Sequence, residues 1–190
     1  QKVVATVMEA VLFIVGTLWS LYLGLFVLRF IMQLVRANFR NPAADAIVKL
    51  TNPLLLPLRR VLPPVGKVDT ATIVSILLLA AGKIAVLRLI AGVPMPPALG
   101  WLYLLTIEVV VLVLWVLCWC IVLSALISFL TQGARTIVTE LLESICEPVL
   151  RPFRRYIPSL VGGFDLSYLW AIITIQALII LITTTFKLNF

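Results

Sequence analysis

Four apolar runs set the terms for everything else in this chain. They cover residues 3–28, 70–91, 101–130 and 166–186. Each exceeds the ~20 residues a helix needs to cross a hydrocarbon core about 30 Å thick. The first is interrupted by Glu9 and small polar residues, the second carries Lys83 and Arg88, the third Glu108, and the fourth no charge. The chain has 190 residues, of which 63% are apolar and 12% charged. A soluble domain of this size leaves roughly 30% of its unfolded-chain surface exposed and carries about 25% charged residues. No such interior can hide these runs, so apolar surface must face lipid. That excludes a soluble enzyme, a nucleic-acid-binding domain and a disordered tail. The first run is too long for a cleavable signal peptide and lacks its clustered basic start and small-residue cleavage site. Gln1 does not read as a natural start, so a few residues are expected to precede it.

The connections between the runs orient them. The middle one, residues 92–100, is short and has no Lys or Arg. The outer two are long. Residues 36–69 hold Arg36, Arg40, Lys49, Arg59, Arg60 and Lys67, and residues 131–165 hold Arg135, Arg151, Arg154 and Arg155. Ten of the 15 basic residues thus lie in two connections on one side. The positive-inside rule places both in the cytoplasm, with the termini and the Pro-rich middle loop outside. The second connection is net neutral because of Glu140, Glu143, Glu147 and Asp165, but acidic residues weigh little in this rule.

The two long connections also repeat. NPLLLPLRRVLPPVGKVD (residues 52–69) aligns with EPVLRPFRRYIPSLVGGFD (residues 147–165). Pro53, Pro57, Arg59, Arg60 and Pro63 match Pro148, Pro152, Arg154, Arg155 and Pro158 at an offset of 95, half the chain. One extra residue near Gly162–Gly163 then brings Asp69 onto Asp165. The sequence therefore predicts an all-α membrane protein with four transmembrane helices. They form two tandem hairpin repeats of the same orientation, residues 1–95 and 96–190, related by a pseudo-twofold axis along the membrane normal.

Within each arm the sequence predicts an amphipathic interfacial helix. Asn41–Pro42 reads as an N-cap followed by proline at the first helical position, with Ile47 and Leu50 on the apolar side. In the second copy Thr136 caps a run in which Ile137, Leu141 and Ile145 share a face. Pro57 and Pro152 lack the N–H of a helical bond, so the motif itself reads as a separate short, kinked segment that Pro63 and Pro158 stop. It sets the paired arginines at headgroup level. Asp69 and Asp165 read as N-caps of the second span in each unit, with scope to pair with a nearby arginine.

These residues resemble the YggT/YlmG family of small bacterial membrane proteins, which has relatives in plastids. The signature N-P-x-x-x-P-x-R-R-x-x-P…D stands here as residues 52–69, and RFIMQLVRANFRNP at the end of the first span is similar to the family as well. The second copy departs from it, with Ser124–Ala125 where the family often has Ser-Trp. The resemblance implies links to osmotic tolerance and to cell-division gene neighbourhoods for bacterial members. For plastid members it implies assembly of a cytochrome complex, and it implies no catalytic activity.

Few residues here carry chemistry. His is absent, and Cys118, Cys120 and Cys146 form neither a disulfide framework nor a metal-ligand spacing. No cofactor or metal is expected. A Ser/Lys dyad fails because Ser75 lies eight residues from Lys83, about 12 Å along one helix. Arg59, Arg60, Arg154 and Arg155 either recognise anionic lipid or a partner's carboxylates through the guanidinium fork, or simply snorkel and set topology. Lys83 and Glu108 each lie roughly 10 Å inside the outer ends of their runs, and Glu9 slightly less. Charges at that depth are costly unless paired or wet, so Lys83 is expected to pair with Glu108 or Glu9. Lys83 and Arg88 correspond to Ile179 and Thr184, so the cluster is not duplicated. The leading functional expectation is a non-catalytic scaffold, assembly factor or accessory subunit in the bacterial inner membrane. Its partners are anionic lipids and other membrane subunits or further copies of itself, and not nucleic acid. The rival is a small ion or solute transport or channel component.

Overall fold

A computed structural model describes residues 2–37, 41–62, 69–130, 136–156, 160–161 and 164–187. The chain runs α1 (Lys2–Leu34), α2 (Pro42–Val61), α3 (Thr70–Ala91), α4 (Ala98–Leu130), α5 (Ile137–Tyr156), β1 (Leu160–Val161), β2 (Phe164–Asp165) and α6 (Leu166–Lys187). The two halves mirror each other in length: 33, 20 and 22 residues, then 33, 20 and 22 again. Helices α1, α3, α4 and α6 are long and apolar enough to cross a membrane. At 1.5 Å per residue α1 and α4 measure about 50 Å, so they outrun the hydrocarbon core and must tilt or protrude. Only 17–22% of each span's most apolar stretch is buried within the protein, which leaves the rest for lipid. The chain is a multi-pass, all-α membrane protein.

Each half is a hairpin with an arm laid on it. α1 packs on α3 and α4 on α6, and the hairpins join where α4 meets α1 and α3. α2 lies against α1 and α3, α5 lies against α4 and α6, and the two arms touch. The core sits at this arm-side end. Leu23, Phe26, Val27 and Met32 of α1, Leu55 of α2, Ile121 of α4 and Ile145 and Leu150 of α5 are almost wholly buried. Gly92, at φ +66°, closes α3 in the left-handed conformation that its missing Cβ permits, and Val93 N–H returns to the Arg88 carbonyl at 3.0 Å.

The arms form as continuous helices, which corrects the sequence reading of a separate kinked segment. α2 passes through Pro53 and Pro57, and α5 through Pro148 and Pro152. Each proline deletes one bond to the carbonyl four residues back. The lost partners are Lys49 and Pro53 in α2, and Ser144 and Pro148 in α5. All of these residues, with Pro57 and Pro152, are exposed. A spacing of four keeps every freed carbonyl on one outward stripe, where water or headgroups satisfy it. Leu62 is extended and ends α2, as a residue before proline prefers. Pro63 and Pro158 lie outside the described residues.

The caps follow the expected residues. Asn41 Oδ1 accepts the Ala43 N–H at 2.9 Å. Thr136 and Thr139 cap reciprocally, Thr139 N–H to Thr136 Oγ1 at 3.2 Å and Thr136 N–H to Thr139 Oγ1 at 2.7 Å. Leu50 and Ile137 depart from expectation: both are more than half exposed. The buried stripe of α2 is Ala44, Ile47, Thr51 and Leu55, and Leu50 sits about 100° around the helix from its centre. Ile137 is at the first helical position of α5, beyond the reach of the core that buries Leu141 and Ile145. The two-residue ribbon β1–β2, pairing Leu160 with Asp165 and Val161 with Phe164, was not foreseen. It flanks the point where the second repeat takes its extra residue, and it delivers Asp165 to the start of α6.

Candidate functional site

Each unit ties its first span, its arm and its second span together through polar contacts. In the first unit Arg59, in the last turn of α2, donates from Nε (3.1 Å) and Nη2 to Oδ2 of Asp69, the residue before α3. The Thr72 hydroxyl donates to the same oxygen at 2.8 Å. Asp69 is 3% exposed. Burial pushes its carboxyl up, but the Arg59 and Thr72 hydrogen bonds and the Arg59 charge outweigh burial and hold it below its ordinary 3.8. Its Oδ1 is buried without a hydrogen-bond partner among the described residues.

The second unit repeats the latch with different chemistry. Arg154 donates from Nε to Asp165 Oδ2 at 3.1 Å and from Nη1 to Glu147 Oε2 at 2.8 Å. Its guanidinium lies 5.8 Å from the Tyr168 ring centroid. The Tyr168 hydroxyl in turn lies 3.4 Å from Ser124 Oγ on α4. Burial lowers the Arg154 pKa, but Asp165, Glu147 and Tyr168 outweigh it and raise the net value. The two aspartates differ in their second task. Asp165 Oδ1 accepts the Ser167 N–H at 2.9 Å and so caps α6. Asp69 caps α3 through its backbone carbonyl, which accepts the Thr72 N–H at 3.0 Å, because its side chain is taken up by Arg59 and Thr72. The expectation of a side-chain cap holds for Asp165 and not for Asp69.

Sequence reasoning treated each arginine pair as one unit; the structure divides it. Arg59 and Arg154 turn to their aspartates, although all four arginines keep exposed surface. Arg60 makes no ion pair among the described residues. Two contributors were missed. Arg29, near the end of α1, is 6% exposed and bonds Thr51 Oγ1 (2.5 Å), Asn52 Oδ1 (3.0 Å) and the Val48 carbonyl (3.3 Å). At the repeat offset Arg29 answers to Ser124 and Asn52 to Glu147, so the same positions build both nodes. Asn41, besides its cap, donates Nδ2 to the Ile137 carbonyl and joins the two arms. The signal for Arg29 was a charge placed just past the first apolar run, at a depth where nothing but a partner justifies it.

The intramembrane charges separate. Lys83 Nζ on α3 binds Glu108 Oε1 on α4 at 2.5 Å, with side chains 14% and 25% exposed. Glu9 is exposed and makes no ion pair among the described residues. Arg88 Nη1 donates to the Pro94 carbonyl at 2.8 Å in the turn after α3. One turn from Lys83, Trp19 donates its indole N–H to the Leu79 carbonyl at 2.9 Å. Gly82 makes room for that ring, since a Cβ there would sit 3.0 Å from Trp19 Cζ2. Cys118, Cys120 and Cys146 are free and buried. Burial pushes the Cys146 thiol up to about 12.

The repeat is mirrored in known proteins. The CCB3/YggT family model matches residues 8–90 and 103–186, one match in each half. An uncharacterized protein of Pseudomonas aeruginosa, PA0392, is 37% identical over 174 residues, 91% of this chain and 88% of its own. The uncharacterized protein YggT of Escherichia coli K12 is 34% identical over 161 residues, 84% of this chain and 82% of its own. No solved structure matches. With both halves matched by one family model, the chain belongs to the CCB3/YggT family.

Proposed function

We propose that this protein is a non-catalytic scaffold or accessory subunit of a larger complex in the bacterial inner membrane. Both arms face the cytoplasm, because ten of the 15 basic residues lie in their connections. The observation that carries the reading is the duplicated latch. Arg59–Asp69 and Arg154–Asp165 fix each arm to its own second span, so Arg60 and Arg155 are presented from a rigid platform. Such a platform suits docking and has no use in chemistry. Closure of Lys83 on Glu108 supports this reading over an ion path, since the pair satisfies both charges inside the bundle.

Co-purification in mild detergent tests it. The wild-type protein should retain a different membrane subunit at fixed stoichiometry, and Arg60→Gln with Arg155→Gln should lose it. A ring of identical subunits that passes ions in liposomes would replace this reading with the transport one. Orientation is tested by engineered cysteines: Lys49→Cys should react only from the cytoplasmic side and Leu99→Cys only from outside.

A further inference from the structure

The two arms share a fold but not a surface. The outward stripe of α2 runs through Lys49, Leu50, Pro53, Leu56, Arg60 and Val61, and its Leu50, Leu56 and Val61 are each more than half exposed. On α5 the residue matching Leu50 is the buried Ile145, the exposed positions include Glu140, Glu143, Glu147 and Arg151, and the large exposed apolar side chains, Ile137 and Val138, are confined to the first turn. Aligned at the offset of 95, Val48, Asn52 and Leu56 of the first arm stand where the second has Glu143, Glu147 and Arg151. Charge follows the same division: residues 36–69 carry six basic and two acidic residues, and residues 131–165 four of each.

The difference continues beneath the helices. Arg154 is held by two carboxylates, Glu147 and Asp165. In the first unit Asp69 serves Arg59, while the buried Arg29 has only neutral acceptors and no ion pair among the described residues. Asp69 is shared by the charges of Arg29 and Arg59, and the net positive charge under α2 adds to the potential of its outer face. Arg60 is unpaired among the described residues. The Lys49–Asp45 pair is too exposed, at 74% and 51%, to neutralise Lys49 firmly.

We propose that α2, and not α5, is the contact of this protein for anionic phospholipid. Phosphates lie at Lys49 and Arg60, about 16 Å apart along the helix, with acyl chains against Leu50, Leu56 and Val61. Exposed leucines set between exposed cations fit a headgroup–acyl boundary. An acidic peptide would match the charges but leave those side chains in water. This inference goes beyond the scaffold reading and does not depend on it, because its test contains only purified protein and lipid.

The test is titration of phosphatidylglycerol, against phosphatidylcholine, into the detergent-purified full chain, with bound lipid counted by native mass spectrometry. Wild type should prefer phosphatidylglycerol, and added salt should weaken the preference. Lys49→Gln with Arg60→Gln should weaken phosphatidylglycerol binding about 30-fold, and Arg60→Gln alone about fivefold, from the usual contribution of a basic residue at an anionic surface. Arg151→Gln with Arg155→Gln should leave binding within about twofold. Equal losses from both arms, or none from the first, would overturn the proposal. So would full competition by millimolar inorganic phosphate, which would make this a site for free phosphate.

Discussion

Asp69 and Asp165 stand at equivalent positions yet should respond differently to loss of their arginines. Asp69 is 3% exposed and keeps only Thr72 when Arg59 goes, whereas Asp165 retains the Ser167 N–H and is partly exposed. A stranded buried charge costs on the order of 3–5 kcal/mol. The 41% exposure of Arg59 lets water screen the pair, so Arg59→Gln should cost about 2 kcal/mol and Arg154→Gln about 1 kcal/mol or less. Thermal unfolding in detergent measures both, and equal losses would contradict the difference drawn between the nodes. The pH dependence has a definite sign. The folded carboxyl of Asp69 lies below its ordinary 3.8, so the latch contributes fully above that value and is lost as pH falls through the folded one. Between pH 7 and 5 the difference between wild type and Asp69→Asn should stay constant, and it should shrink only below about pH 4. At this scale the sequence was partly legible. Repetition exposed the arginines and aspartates, because equal spacing survives without any knowledge of the fold. Arg29 announced its need for a partner by its depth, but not which one, since Thr51 and Asn52 lie 22 and 23 positions away and carry no charge.

At the scale of the element, the arms show when a proline breaks a helix and when it does not. The usual penalty is about 3 kcal/mol, from a lost hydrogen bond and a clash with the preceding turn. In α2 and α5 the freed carbonyls share one exposed stripe, so solvent or headgroups replace the lost bonds, and the opposite face still packs through Leu55 and Leu150. Position around the helix, not the count of prolines, should therefore decide stability. Pro57→Ala should change the unfolding temperature by no more than about 1 kcal/mol would, as a restored bond offsets a lost bend. Leu55→Pro moves the break onto the buried face, removes a wholly buried side chain and frees the Thr51 carbonyl in the core. It should cost more than about 4 kcal/mol and make the arm sensitive to protease. If the two variants behaved alike, the exposed-stripe account would be wrong. The sequence foretold an amphipathic arm with correct caps at Asn41 and Thr136 but split it at the prolines. A proline pair four apart reads as a break until the buried face is known.

For the whole molecule, the question is what holds two similar hairpins together. Composition and run length foretold four spans, and the offset of 95 foretold the repeat, because burial in lipid constrains sequence more tightly than any local propensity. Neither says which helices of different repeats meet; the matched depths of Lys83 and Glu108 point to α3 and α4, with Glu9 of α1 as the alternative. The structure puts Asn41 against Ile137 between the arms and Lys83 against Glu108 between α3 and α4. The second contact lies among helices that otherwise join by apolar side chains, which give little preference over lipid. Lys83 and Glu108 are only 14% and 25% exposed, so solvent screens either charge poorly once its partner is gone. Lys83→Met or Glu108→Gln alone should each cost on the order of 3–5 kcal/mol, and the double variant clearly less than their sum. The coupling should appear in a double-mutant cycle of unfolding temperatures in detergent. The parallel cycle of Lys83→Met with Glu9→Gln should be additive, because Glu9 makes no ion pair among the described residues. Additivity in the first cycle would mean that packing of α4 on α1 and α3 joins the repeats without the ion pair. Coupling to Glu9 instead would mean that α1, and not α4, supplies the counter-charge within the bilayer.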